Sequence, residues 1–183
     1  MSAPVAVLAG GRGRRMGAPK PLAELAGAPL VERPLAAAAA AGLDAVVVAK
    51  AITPLPPGPT VWREPDEPVH PLLGIVTALG RAGGPVVAVA CDMPFVPPGL
   101  LARLAAGPEQ AVVARGRLEP FPARYAPEWL PALRAALDRE APVRAALEAQ
   151  QPATIAFDDA AALRSVDTPA DLAAAHDDLV GRR

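Results

Sequence analysis

The sequence predicts an α/β fold. We expect one domain over residues 1–183, built as a three-layer α/β/α sandwich around a mostly parallel sheet. Three observations predict it. The runs VAVLA (5–9), AVVVA (45–49) and PVVAVA (85–90) are continuously apolar, as strands covered on both faces are. They alternate with alanine- and leucine-rich stretches of helical length. At 183 residues, 52% hydrophobic and 20% charged, the chain fits one core of useful size.

Taken in order, Pro4 to Ala9 is an apolar strand that stops at two glycines. A helix runs from Pro29 or Leu30 to Ala41, with six alanines before the Gly42 stop. Ala45 to Ala49 is a second strand, 53–59 a proline-rich loop, and Thr60 to Trp62 a short third strand. Pro71 to Arg81 is helical in pattern and ends near Gly83-Gly84. Pro85 to Ala90 is a buried strand, Pro97 to Ala106 a helix, and Ala111 to Ala114 and Phe121 to Tyr125 are strands. Helices follow over Glu128 to Arg139 and Val143 to Gln150, then a strand over Ala153 to Phe157. Thr168 to Leu179 is a closing helix, with Thr168 as N-cap, Pro169 in the first helical position and Asp171 in the first turn.

Composition removes several function classes. The net charge of −1 gives no global basic field for nucleic acid or an anionic membrane, so any anion site must be local. The single cysteine, Cys91, excludes an internal disulfide framework and a cysteine-rich zinc site. No apolar run approaches membrane-spanning length, and the first residues do not form a charged-then-apolar leader, so a cytoplasmic protein is the default. The chain has 24 prolines, no asparagine, and sixteen arginines against two lysines. Heat adaptation or a biased genome would give that composition equally well.

One of those scarce lysines ends the stretch VLAGGRGRRMGAPK, residues 7–20. Gly10 lies at the carboxyl end of a strand, where open α/β sheets bind ligands. Glycines let backbone N–H groups approach phosphate oxygens, and arginine adds a bidentate fork. The dinucleotide fingerprint fails, because Gly11 and Gly13 would require glycine at Met16. Walker A fails for want of Gly-Lys-Ser/Thr. The pattern that fits is LAGGxxxRMGxxK, carried by Leu8, Ala9, Gly10, Gly11, Arg15, Met16, Gly17 and Lys20.

That pattern resembles the signature of GT-A type nucleotidyltransferases, and in particular of the molybdenum cofactor guanylyltransferases, the MobA family. Gly13 stands where the family often has serine. HPLLGIVTAL (70–79) resembles the family's GPLAG-type segment, with His70 for glycine and Leu73 for alanine. CDMPF (91–95) matches CDxP[FY], EPFPARY (119–125) falls at a short strand near the pterin substrate, and SVDTPADL (165–172) matches xVNTPEDL.

The resemblance implies a Rossmann-like fold and transfer of GMP from Mg-GTP to molybdopterin carrying molybdenum, with release of pyrophosphate. Two polyanions must meet, so the site needs cations and N–H donors more than covalent chemistry. By resemblance, Gly10 to Arg15 hold the triphosphate, with Leu8, Ala9, Gly10 and Gly11 at the nucleotide. Arg15, Lys20 and Asp92 are the catalytic candidates, and Lys20 and Asp92 also touch the nucleotide. Asp92 binds Mg²⁺, and Asp167, in place of a family asparagine, is expected to face it as a second ligand. A family asparagine that reads guanine falls on Ala49, so that contact is lost or replaced. The base-reading aspartate corresponds to Glu64 by spacing or Asp66 by residue type.

The remaining candidates stay open in their roles. Lys50 is a substituted contact or a solvated strand end, and Arg124 meets a substrate phosphate or pairs on the surface. Arg144 faces the pterin or lies on a helix surface. His70 makes a local contact, Trp62 and Trp129 pack, and Cys91 is a small buried hydrophobe rather than a nucleophile. The implied partners are GTP, the molybdopterin cofactor, and molybdoenzymes or their chaperones. Two other readings stand beside this one: a cytidylyltransferase or other nucleotidyltransferase acting on a phosphorylated substrate, and a catalytically silent nucleotide-binding domain.

Overall fold

The computed structural model describes residues 2–11 and 16–181. Within them the expected strand–helix alternation is present. Its first elements are β1 (Val5–Leu8), β2 (Glu24–Leu25), β3 (Ala28–Pro29), α1 (Glu32–Ala40), β4 (Ala45–Lys50) and β5 (Val61–Glu64). Next come α2 (Pro71–Ala82), β6 (Val86–Ala90), α3 (Pro98–Ala106), β7 (Ala111–Ala114), β8 (Arg117–Glu119) and β9 (Ala123–Tyr125). The chain closes with α4 (Leu130–Asp138), α5 (Val143–Glu148), β10 (Thr154–Ala156) and α6 (Pro169–Val180).

The main sheet has the order β5-β4-β1-β6-β9. Strands β5, β4, β1 and β6 are parallel, and β9 is an antiparallel edge. β1, β6 and β4 up to Lys50 are apolar because both faces are covered. Ala6, Val46, Val48, Val86 and Ala88 pack into one core with residues of α2 and α4. Their neighbours Val5, Val7, Val47, Ala49, Val87 and Val89 pack into a second core with residues of α1 and α3. The period-two alternation of side chains thus feeds two helical layers from one strand.

Three features of the fold go beyond or depart from the sequence reading, each with a local cause. The strands expected at 111–114 and 153–157 are present as β7 and β10, in a separate three-stranded sheet ordered β10-β7-β8. Ala114 pairs with Arg117 across the two residues Arg115 and Gly116, both at positive φ (51° and 72°). That is the backbone of a primed hairpin turn, and it turns β7 back on β8 before β9 joins the main sheet. The first helix was expected to begin at Pro29 or Leu30. Ala26 and Gly27, at φ 50° and 81°, instead turn the chain into the small β2–β3 hairpin, and α1 starts at Glu32. The long helix expected from Glu128 opens as a 3₁₀ turn, Pro127–Trp129, before α4.

A third apolar cluster joins Met16, Leu25, Leu30, Val166 and Ala175. It holds α6 and its lead-in against the segment that follows the glycine loop. As expected, Thr168 caps α6. Its hydroxyl accepts from the Asp171 amide, and the Asp171 carboxylate accepts from the Thr168 amide, a reciprocal capping box. Among the described residues no helix is long and apolar enough to cross a membrane. The cap fixes where α6 starts, so Thr168→Ala should cost about 1 kcal/mol of stability. Urea denaturation monitored by circular dichroism measures it; an unchanged midpoint would show that the box adds nothing.

Candidate functional site

The carboxyl ends of β1, β4, β5 and β6 gather the chemistry-bearing residues on one edge of the sheet. β1 delivers Ala9, Gly10 and Gly11; β4 and β5 end in Lys50 and Glu64; β6 runs into Cys91 and Asp92. Backbone bonds keep these ends in step. The Ala9 amide donates to the Val48 carbonyl (2.8 Å) and the Cys91 amide to the Leu8 carbonyl (3.0 Å).

Two clefts open on either side of Gly10 and Gly11. The first, about 440 Å³, is lined by Leu8, Lys20, Glu64, His70, Asp92 and Phe121 among others, and Ser165 reaches its edge. The second, about 660 Å³, is lined by Pro19, Lys50, Thr53, Asp66 and Glu67 among others. Of the residues singled out in the sequence, Leu8, Lys20, Glu64 and Asp92 border the first cleft, Asp66 borders the second, and Gly10 and Gly11 border both. Ala9 is buried in the second core. Arg15 lies outside the described residues.

Lys20 is the centre of the first cleft's charge. It opens a 3₁₀ turn, Lys20–Leu22, and its ammonium donates to Asp92 Oδ2 and, at 2.8 Å, to Asp167 Oδ1. Asp92 and Asp167 therefore share one cation although 75 residues separate them in sequence (167 − 92). The backbone stitches the same two segments together, because the Val166 amide donates to the Asp92 carbonyl (2.8 Å). Burial works against the charge on Lys20, but Asp92 and Asp167 together outweigh it and raise the pKa above the ordinary lysine value. The ammonium is thus secured across the physiological range.

The donor set fits a hard divalent cation. Asp92 Oδ1 is buried and has no hydrogen-bond partner among the described residues, an arrangement that is costly unless a cation or donor meets it. Among the described residues no three histidines, cysteines or acids cluster as a complete protein cage. Mg²⁺ commonly takes one or two carboxylates and completes its shell with phosphate and water. Asp92 and Asp167 meet that requirement.

Several residues take structural roles. His70 caps α2: its Nδ1 accepts from the Leu72 amide at 3.2 Å, and Pro71 opens the helix. Arg144 donates through Nε to the Leu118 carbonyl (2.7 Å) and lies 3.6 Å from Glu119, so it braces α5 against β8. Arg124, in the β9 edge, lies 3.4 Å from the Gly107 carbonyl and borders neither cleft. Trp129 is buried edge-on to Tyr125, with ring centres 6.3 Å apart, and Trp62 is half-buried against the first core.

Lys50 corrects the solvated strand end that its position suggested. It is only 4% exposed and sits 3.6 Å from Glu64 Oε1, a carboxylate that is itself buried. Burial raises the pKa of Glu64, and Lys50 acts in the opposite direction. The sequence reading missed this pair, and it missed Glu67 and Phe121 as cleft residues. A signal for the pair was available: strands β4 and β5 both end in a charge, Lys50 opposite Glu64 in the parallel register.

Cys91 is buried, and burial first, then the neighbouring Asp92 charge, push its thiol up to about 12. A thiol so placed is not a nucleophile near neutral pH. At pH 8 the folded chain should react with a maleimide about 10³-fold more slowly than the chain in denaturant. Mass spectrometry of timed quenches checks this; equal rates would mean an accessible thiolate.

Comparison with known proteins gives the family. An alignment of 119 positions, covering 61% of this chain, is 38% identical to the molybdenum cofactor guanylyltransferase of Rhodobacter capsulatus and spans 62% of that protein's length. The structure of molybdopterin-guanine dinucleotide biosynthesis protein A from Archaeoglobus fulgidus superposes with a TM-score of 0.75 at 26% identity, over 98% of this chain and 99% of that one. A nucleotidyl transferase from Methanothermobacter shares the fold, with a TM-score of 0.78 at 20% identity, over 100% of this chain and 99% of that one. The model of the MobA-like NTP transferase domain matches residues 5–154, most of the chain, and the chain belongs to that family.

Proposed function

We propose that this chain transfers GMP from GTP to the terminal phosphate of molybdopterin carrying molybdenum. One observation carries the reading: Lys20, Asp92 and Asp167 converge at the mouth of a cleft whose wall is the Gly10-Gly11 backbone. An acceptor phosphate oxygen attacks the α-phosphorus, a P–O bond forms, the bond to the bridging oxygen breaks, and pyrophosphate leaves. In this reading the triphosphate lies over Gly10 and Gly11, where close backbone approach is possible.

Lys20 neutralises charge on the oxygens around the α-phosphorus, and its position is held by two carboxylates. A preorganised cation of this kind acts without reorganising as charge develops. Asp92 and Asp167 would hold Mg²⁺, which when bound draws together and neutralises the phosphate oxygens. The base lies in the second cleft, beside Thr53, Asp66 and Glu67. Carboxylates only accept hydrogen bonds, and the pairing edge of guanine offers two adjacent donors where that of cytosine offers one amino group. Asp66 is favoured over Glu64 as the reader of the base, since Glu64 is buried against Lys50. The acceptor phosphate enters by the first cleft, past Phe121 and Ser165. Molybdoenzymes or their chaperones would receive the product.

Melting temperatures with each of the four nucleoside triphosphates and Mg²⁺ test the assignment, because a ligand stabilises according to its concentration over Kd. GTP should give the largest shift. A larger shift with CTP would move the chain to cytidylyl transfer, and binding without turnover would mark a silent nucleotide-binding domain.

The charged cluster gives a second test. Lys20→Ala should lower turnover by roughly 10²–10³. Asp167→Asn, which keeps the shape and removes the charge, should raise the apparent Mg²⁺ constant while the melting temperature holds. An unchanged metal titration in Asp167→Asn would remove it from the metal site.

A further inference from the structure

The buried Lys50–Glu64 pair stands between the two clefts, and its surroundings decide what it does. Glu64 lies against Gly10: a Cβ built there would come 1.7 Å from Glu64 Oε1. One built on Gly74 would meet Glu64 Oε2 and Leu8 Cδ2, each at 3.1 Å. The carboxylate therefore occupies room that two glycines leave, one in the glycine loop and one in α2. On its other side Lys50 donates to the Pro65 carbonyl at 2.7 Å and reaches the Pro68 carbonyl at 3.5 Å. Pro65 and Pro68 bracket Asp66 and Glu67, two acids of the second cleft. Arg63 secures the strand end by donating to the Lys50 carbonyl at 2.6 Å.

An ammonium has three protons and accepts nothing. Those of Lys50 are drawn to the Pro65 and Pro68 carbonyls, with the Glu64 carboxylate 3.6 Å away, and the residue is almost wholly buried. Lys50 is therefore not the reader of a base. We propose that Lys50, with Glu64, is a positioning residue: it clamps the Pro65–Pro68 segment to Gly10 at the end of β1 and so sets the distance between the two walls that grip the nucleotide base. This inference rests on the nucleotide site proposed above.

Removing Lys50 alone leaves a buried carboxylate uncompensated and endangers the fold. The test therefore uses Lys50→Met/Glu64→Gln, which removes both charges and keeps the volumes, beside Lys50→Met. The double variant should recover most of the melting temperature lost by Lys50→Met. Its GTP affinity, by titration calorimetry, should be weaker by about 10- to 100-fold, the scale of losing a charged hydrogen bond. Its preference for GTP over ATP should shrink, its KM for GTP should rise, and its kcat should change little. Hydrogen exchange at the Asp66 and Glu67 amides, measured without ligand, should quicken. A double variant with wild-type affinity, wild-type preference or unchanged exchange overturns the clamp and leaves the enzyme reading standing. A wild-type chain that binds no nucleoside triphosphate overturns both.

Discussion

Strand β1 has no wet face, and the rest of the structure follows from that. Val5, Ala6 and Val7 are completely buried, with partners β4 and β6 on either side and a helical layer above and below. Every backbone group inside must be satisfied by the ladder. Polar chemistry can then appear only where the parallel strands stop. All four parallel strands stop on the same side, so one edge collects the glycine loop, Lys50, Glu64 and Asp92. Site and scaffold share one cause: parallel pairing aligns the strand ends, and burial strips the middle of anything polar.

Charge then organises that edge around two lysines with different neighbours. Lys20 is largely buried at the first cleft and meets two carboxylates at once, so its charge is retained against burial. Lys50 is almost wholly buried and meets one carboxylate and two carbonyls. The first arrangement suits a cation that must face a ligand's phosphates. The second holds backbone in place. Buried ion pairs are poor sources of net stability, which makes geometric definition the better account of Lys50 and Glu64.

Glycine has a specific use at Gly10. A side chain there would collide with the Glu64 carboxylate, so Gly10 admits the buried pair on one side and presents backbone to the clefts on the other. A Cβ on Gly11 would meet no atom of the described residues within 4 Å. The two glycines of the motif thus answer to different neighbours.

The sequence by itself determined the layered α/β fold, the cap of α6 and the residues of the glycine loop, because these depend on local pattern: apolar runs, N-cap chemistry and motif spacing. It also nominated Lys20, Asp92 and Asp167, which lie in motifs but far apart along the chain. Only the tertiary structure decided that these three meet, since their meeting depends on Val166 bonding to Asp92 and on the cluster that holds α6 against Met16 and Leu25. Only it showed that β7 and β10 form a sheet of their own, since strand pairing depends on which segments meet in space. Lys50 and Glu64 were the hardest to read. A charge at a strand end looks solvated in sequence, and whether a partner strand, a glycine and two proline carbonyls close over it is a fact of packing between segments that sequence order does not bring together.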